Sequence, residues 1–126
     1  MKFDLNQVTI MVKNMEKSIE FYQTLGLKLI VDARPKYARF ECMHGDSTFS
    51  LHESNESGTK NIWLYFETKT LDADVRALQN KGVVFECLPT DQSWLWREAR
   101  LKDPDGNQLI LYYAGENRKD PPWRLR

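Results

Sequence analysis

An imidazole, three carboxylates and two guanidinium groups fall on one strand parity in this chain. His52, Glu41, Glu67 and Glu98 share that parity with Arg39 and Arg100. One histidine and two carboxylates are enough to hold a divalent cation or to act as a general base. His52 and Glu98 are the catalytic candidates on that reading. A plainer reading pairs His52 and the acids with Arg39 and Arg100 as a satisfied polar network, with no chemistry at all. His44 lies in the turn His44-Gly45-Asp46 and is expected at the surface.

The same parity gathers aromatic side chains. Trp63, Tyr65, Trp94, Trp96 and Tyr112 lie on it, beside the amides Gln7 and Asn61, the hydroxyl of Ser50 and the aliphatic Ile110. A solvated sheet face rarely holds so many rings, and a dry core rarely holds so many charges. A partly wet ligand cavity accounts for both. A sheet face that pairs with another subunit, with Trp anchors and an ionic rim, accounts for them too. On the cavity reading the ligand-binding set is Gln7, Arg39, Glu41, Ser50, His52, Asn61, Trp63, Tyr65, Glu67, Trp94, Trp96, Glu98, Arg100, Ile110 and Tyr112. The rings would stack on a planar or aromatic molecule, and Glu41, Glu67 and Glu98 would receive its cationic or hydroxyl groups.

The elements that must position these residues follow from pattern. Residues 7–12 alternate polar with β-branched, a half-buried strand. Asn14 caps a helix from Met15 to Leu25 that Gly26 ends, with Met15, Ile19, Tyr22 and Leu25 on its apolar face. Strands follow at 27–31, 37–42 and 48–53, and the polar stretch 54–60 reads as a loop. The plan then repeats: a strand at 61–67, a helix at 71–80 that Gly82 ends, and strands at 83–87, 94–102 and 108–113, with a loop at 89–92. Asp103-Pro104-Asp105-Gly106 is a tight turn before the last strand.

The other parity is apolar: Val8, Ile10, Val12, Ala38, Phe40, Cys42, Phe49 and Leu51 in the first half. In the second half it holds Ile62, Leu64, Phe66, Leu95, Ala99, Leu101, Leu109, Leu111 and Tyr113. It packs under the helices, with Arg97 as its one misfit. The pattern predicts an α+β fold made of a duplicated unit of about 50 residues, each half too small to fold well alone. Module one covers about 5–54, module two about 60–115, and 116–126 is a C-terminal extension.

At 126 residues the chain is one domain with 18 basic and 18 acidic side chains. A net charge of zero gives no field to attract nucleic acid or an acidic membrane. No apolar run approaches a membrane span and no export signal opens the chain, so a cytoplasmic location is expected. Cys42 and Cys87 lie far apart and are expected as buried free thiols. Trp123, in the proline-rich tail, is expected to dock on the body or on a partner subunit.

Two segments carry a family likeness: Met15-Glu16-Lys17-Ser18-Ile19-Glu20-Phe21-Tyr22 with Leu25-Gly26-Leu27, and Asp103-Pro104-Asp105-Gly106-Asn107. With the duplicated strand-helix-strand-strand-strand unit, the chain resembles the vicinal oxygen chelate superfamily. That superfamily includes glyoxalase I, bleomycin-resistance proteins, fosfomycin-resistance enzymes and extradiol dioxygenases. The tail, Ala114 to Arg118 with Pro121-Pro122-Trp123, is similar to that of a subset of single-domain members. The resemblance implies two βαβββ modules forming a curved mixed sheet around a cleft, helices outside, in a homodimer.

It also implies four metal-ligand positions, which fall on Gln7, Ser50, Asn61 and Ile110. Gln7 is an acceptable ligand, Ser50 and Asn61 are poor ones, and Ile110 cannot coordinate at all. No cofactor is therefore expected, the alternative being one divalent metal at a non-standard site. The leading expectation is a metal-free binding protein of the bleomycin-resistance type for a small molecule. The alternative is a glyoxalase-like lyase, isomerase or dioxygenase that uses a relocated metal or the pair His52 and Glu98. A weaker third is a partner-binding module with no small ligand.

Overall fold

The computed structural model describes residues 1–2, 4–56 and 61–126, so the predicted loop at 54–60 falls mostly outside the described residues. The chain folds into two compact units, one of 1–61 with 103–107 and the other of 62–102 with 108–126.

The first unit runs β1 (Gln7–Val12), α1 (Met15–Thr24), β2 (Lys28–Ala33), β3 (Tyr37–Glu41) and β4 (Thr48–Glu53), in a sheet of order β1-β4-β3-β2. β1 and β4 are parallel and the other pairs antiparallel, so the sheet is mixed. The Asn14 side chain accepts from the Lys17 amide at 3.1 Å, which satisfies one of the free N–H groups that open α1. The helix buries Met15, Ser18, Ile19 and Tyr22. They join a core of Ile10, Val12, Ala38, Phe40, Phe49 and Leu51, the apolar parity read from sequence. Each large side chain withdrawn this fully from water contributes about 1.5–3 kcal/mol.

The second unit repeats the plan: β5 (Trp63–Glu67), α2 (Leu71–Asn80), β6 (Cys87–Asp91), β7 (Arg97–Lys102) and β8 (Gln108–Tyr113), in the order β5-β8-β7-β6. β5 and β8 are parallel, and the rest antiparallel. Leu71, Val75 and Leu78 of α2 pack in a core with Leu64, Ala99, Leu101, Leu109 and Leu111. A short 3-10 helix, Gly115–Arg118, follows β8. The α+β class and the duplicated βαβββ plan expected from sequence are what the two units contain. No helix among the described residues is long and apolar enough to cross a membrane.

The structure corrects the sequence reading in four places. The strand expected at 83–87 is not formed. Gly82 takes φ +93 to end α2, and pairing with β7 starts only near Cys87. β6 then runs through Pro89, which a register shift between Cys87 and Thr90 and a position at the sheet edge accommodate. The strand expected from Trp94 begins instead at Arg97. Gln92 N–H donates to Trp96 O at 2.8 Å and Leu95 turns through φ +68, so 92–96 is the hairpin loop.

Leu95, Ile62 and Tyr113, all assigned to the core, are 48%, 48% and 42% exposed, since the first two lie outside strands and the third ends one. Cys87, expected buried, is exposed on the edge strand, whereas Cys42 is half-buried and burial pushes its thiol up. Arg97 finds its place here: it ion-pairs with Asp72 in the first turn of α2 at 2.9 Å and with Asp91 at 3.0 Å.

The Asp103–Asn107 turn joins two strands of the second unit yet clusters with the first. Asp103 is buried and accepts from Tyr22 Oη at 2.7 Å, from Asn107 N and Nδ2 at 2.8 Å and from Asp105 N at 2.9 Å. Burial, and then the Asp103 charge, hold the Tyr22 phenol far above its usual range.

Candidate functional site

In the first unit, strand alternation places Tyr37, Arg39 and Glu41 of β3 on one face with Ser50 and His52 of β4. Pairing sets Arg39 opposite Ser50 and Tyr37 opposite His52. Gln7 and Thr9 of β1 lie across from Thr48 and Ser50. The polar groups form a chain. Arg39 Nε donates to Tyr37 Oη at 2.8 Å, Tyr37 Oη and Ser50 Oγ share a hydrogen bond of 2.7 Å, and Gln7 Nε2 donates to Ser50 Oγ at 2.9 Å. The Thr48 hydroxyl completes it by donating to Gln7 Oε1.

Ser50 is fully buried, while Gln7, Arg39 and His52 are exposed. Burial works to raise the Tyr37 phenol. The hydrogen bonds with Ser50 and Arg39 and the guanidinium charge outweigh it, so the phenol sits below its ordinary value.

His52 Nδ1 lies 2.9 Å from the Glu53 carbonyl. A carbonyl only accepts, so Nδ1 carries a hydrogen, and among the described residues Nε2 has no hydrogen-bond partner. Glu41 pairs with Lys28 at 3.7 Å rather than with His52 or Arg39.

The second unit builds the equivalent face from rings. Trp96 stacks on Tyr112 with centroids 4.8 Å apart and planes at 24°, and Tyr65 meets both edge-on, at 5.8 and 5.4 Å. Ile110, Tyr112 and Ala114 form a small buried cluster against which Trp96 packs. Trp96 Nε1 donates to Asn117 O at 3.2 Å. Arg100 lies over the Trp63 ring at 5.0 Å, within cation–π range. Burial, and then the Glu98 charge, raise the Tyr65 phenol; burial, and then Glu67, raise that of Tyr112.

Glu98 is 1% exposed. Its Oε2 accepts from Trp94 Nε1 at 2.9 Å, but among the described residues Oε1 has no hydrogen-bond donor, only the Arg100 Nη2 charge at 3.6 Å. A buried carboxylate oxygen left in that state costs about 1–3 kcal/mol. Glu67 is engaged in structure. It receives the Ala114 and Gly115 amides at 2.9 and 3.0 Å and pairs with Arg118 at 3.8 Å, fastening the start of the C-terminal segment.

The residues chosen from sequence therefore separate into two groups. Gln7, Arg39, Glu41, Ser50 and His52 share a face in the first unit. Trp63, Tyr65, Trp96, Glu98, Arg100, Ile110 and Tyr112 share one in the second, and Trp94 reaches Glu98 from the loop before β7. Asn61 is exposed at φ +65 ahead of β5. The expected pairing of acids with arginines holds for Glu98 with Arg100, but Arg39 turns to a phenol. Tyr37 was missed as a site residue, although a Tyr two positions before an Arg on one strand shares its face. Trp123 is 57% exposed, so the body of the protein does not cover it.

The four positions at which the resemblance implies metal ligands do not suit a divalent ion. Ile110 carries no donor and is fully buried, Ser50 already bonds to Gln7 and Tyr37, and both ends of the Gln7 amide are engaged. Among the described residues no three His, Cys, Asp or Glu side chains lie close enough to share a metal. A separate groove of about 170 Å³ lies between α2 and β6, lined in part by Val75, Leu88, Pro89 and Arg97. It contains none of the candidate residues.

Residues 4–111 match the family model of the Glyoxalase/Bleomycin resistance protein/Dioxygenase superfamily. The chain is 29% identical over 125 residues to the uncharacterized protein YraH of Bacillus subtilis, covering 86% of this chain and 96% of that one. It is also 29% identical over 130 residues to the trivalent organoarsenical cleaving enzyme of Bacillus sp. strain MD1, covering 91% and 78%. Among solved structures, a glyoxalase/bleomycin resistance protein/dioxygenase from Nocardioides superposes with a TM-score of 0.77 at 21% identity, over 100% of this chain and 91% of that one.

Proposed function

The chain belongs to the Glyoxalase/Bleomycin resistance protein/Dioxygenase superfamily, and from that premise we propose that it is a metal-free binding protein for a small planar molecule. The observation that carries the reading is the face of the second unit. Trp63 and Tyr65 are 55% and 41% exposed there, and Glu98 is buried with one oxygen that has no hydrogen-bond donor among the described residues and is paired with Arg100. The exposed Trp63 and Tyr65 rings offer aromatic contact surface to a planar molecule, beside a buried carboxylate that is paired with Arg100. The metal-free part rests on donor chemistry, since an aliphatic Ile110 and an engaged Ser50 stand at two of the expected ligand positions. A homodimer, checked by sedimentation, and a cytoplasmic location, checked by cell fractionation, are part of the proposal.

Titration of Trp fluorescence with a panel of planar ligands, cationic and neutral, tests it. Saturable quenching that Trp63→Ala abolishes is the expected result. Stoichiometric metal in protein purified without chelator, whose removal stops a turnover and whose return restores it, would overturn the reading.

The second reading, a glyoxalase-like lyase, isomerase or dioxygenase, is favoured by His52 Nε2, which has no hydrogen-bond partner among the described residues, and by similarity to an enzyme that cleaves organoarsenicals. On this reading His52 would be the base, whereas Glu98, its expected acid partner, belongs to the other unit and is buried against Arg100. Activity on a hemithioacetal panel that His52→Ala abolishes would select it.

A further inference from the structure

We propose that Arg39 of β3, held by Tyr37, whose hydroxyl bonds to Ser50 of β4, is an oxyanion-binding subsite that takes a carboxylate or phosphate group of a small molecule. Proton accounting leads to it. The Tyr37 and Ser50 oxygens carry one hydroxyl hydrogen each, and the 2.7 Å bond between them uses only one. Their other partners, Arg39 Nε and Gln7 Nε2, can only donate. One hydroxyl hydrogen is therefore left without an acceptor among the described residues, on a pair whose serine is fully buried. With Ser50 donating to the phenol, that hydrogen is on the half-buried Tyr37 hydroxyl beside Arg39, where a ligand oxygen can accept it.

The charge beside it has the matching sign and no counterion. Arg34, Arg97 and Arg100 all pair with carboxylates. Arg39 pairs with none among the described residues, and its one hydrogen bond there is through Nε to the phenol. That bond, with the guanidinium 5.4 Å from the Tyr37 ring centre, fixes the group and leaves both Nη nitrogens for two oxygens of a ligand. Holding the fork beforehand reduces the entropy lost when an anion binds.

The neighbours on this face do not cancel the charge. Glu41 is paired with Lys28, His52 is the titratable side chain that β4 presents on this face, and β1 presents only Gln7, Thr9 and Met11. The lowered Tyr37 phenol reports the same positive environment.

The test is calorimetric titration of the intact protein with benzoate in one arm and inorganic phosphate in the other, on wild type, Arg39→Gln, Arg39→Lys and Tyr37→Phe. Saturable binding of at least one anion is expected, weakened about tenfold or more in Arg39→Gln and less in Arg39→Lys, which keeps the charge but not the fork. The arm that saturates at lower concentration identifies the group as carboxylate or phosphate. Spectroscopic titration of the tyrosines adds an independent readout. One phenol ionises early in wild type, moves to higher pH when the anion is bound, and is absent from Tyr37→Phe. Arg39 is exposed, so its variants are expected to melt with wild type. Failure of both anions to saturate, equal affinity in Arg39→Gln, or a tyrosine titration indifferent to the anion would each overturn the proposal. None of these outcomes bears on quenching at Trp63, which reads the other unit.

Discussion

The two units of this protein repeat one topology, strand for strand, and fill the face away from their helices with different chemistry. In the first, the centre of that face is a buried serine bonded to a phenol and to the Gln7 amide nitrogen, with a guanidinium donating to the phenol and Thr48 to the Gln7 amide oxygen. In the second it is a buried isoleucine beneath three mutually packed rings, with one carboxylate enclosed among them. Duplication preserved what the backbone needs: the apolar parity, the parallel pairing across each helix and a glycine after each helix. The opposite parity was left free to diverge, because hydrogen bonding in a sheet does not depend on which side chains stand on its other face.

The turn at 103–107 crosses this division, and removing its anchor gives the largest expected effect. Asp103→Ala strands Tyr22 Oη and the Asn107 and Asp105 amides, at a cost of about 4 kcal/mol. Urea unfolding measures it, and a loss under about 1 kcal/mol would show that the turn does not secure α1.

Trp96→Ala tests the ring stack of the second unit. Since the indole is half-buried, about 2–3 kcal/mol is expected, near the low end of Trp truncations. Tyr37→Phe, the matching change in the first unit, removes one hydroxyl and is expected to cost about 1 kcal/mol. Equal losses in the two variants would erase the contrast drawn between a packed face and a polar one.

Alkaline pH offers a milder probe. The Tyr22 phenol is raised in the folded state, so its contribution is complete below the ordinary tyrosine value of 10 and is lost as pH climbs beyond it. The melting temperature of wild type should therefore fall above pH 10, and more steeply than that of Tyr22→Phe, whose lower starting stability is separately measurable. The smallest effect belongs to Gly115→Ala. A Cβ there would meet Tyr113 Oη at 2.7 Å at a φ of +57, so a melting temperature lower by a few degrees is expected.

Much of this was legible in the chain. Strand alternation and helical spacing gave β1, β4, α2 and β8 with the bounds observed, because hydrophobic period and glycine stops are local. Reading fails at 83–96 for reasons that are not local. Pro89 is tolerated only at a sheet edge, and the positive φ of Leu95 is imposed by the hairpin around it.

The same limit applies to the site. Sequence alone determined which side chains of a single strand alternate together, as in β3 and β4, and that Ile110 could never hold a metal, since parity and donor chemistry belong to the residues themselves. Only tertiary structure decided that Ser50, Glu98 and Ile110 are buried, that Arg39 answers to a phenol rather than a carboxylate, and that the Asp103 turn belongs with α1. Burial and pairing depend on which groups arrive from distant strands, and that is set by the packing of the whole unit.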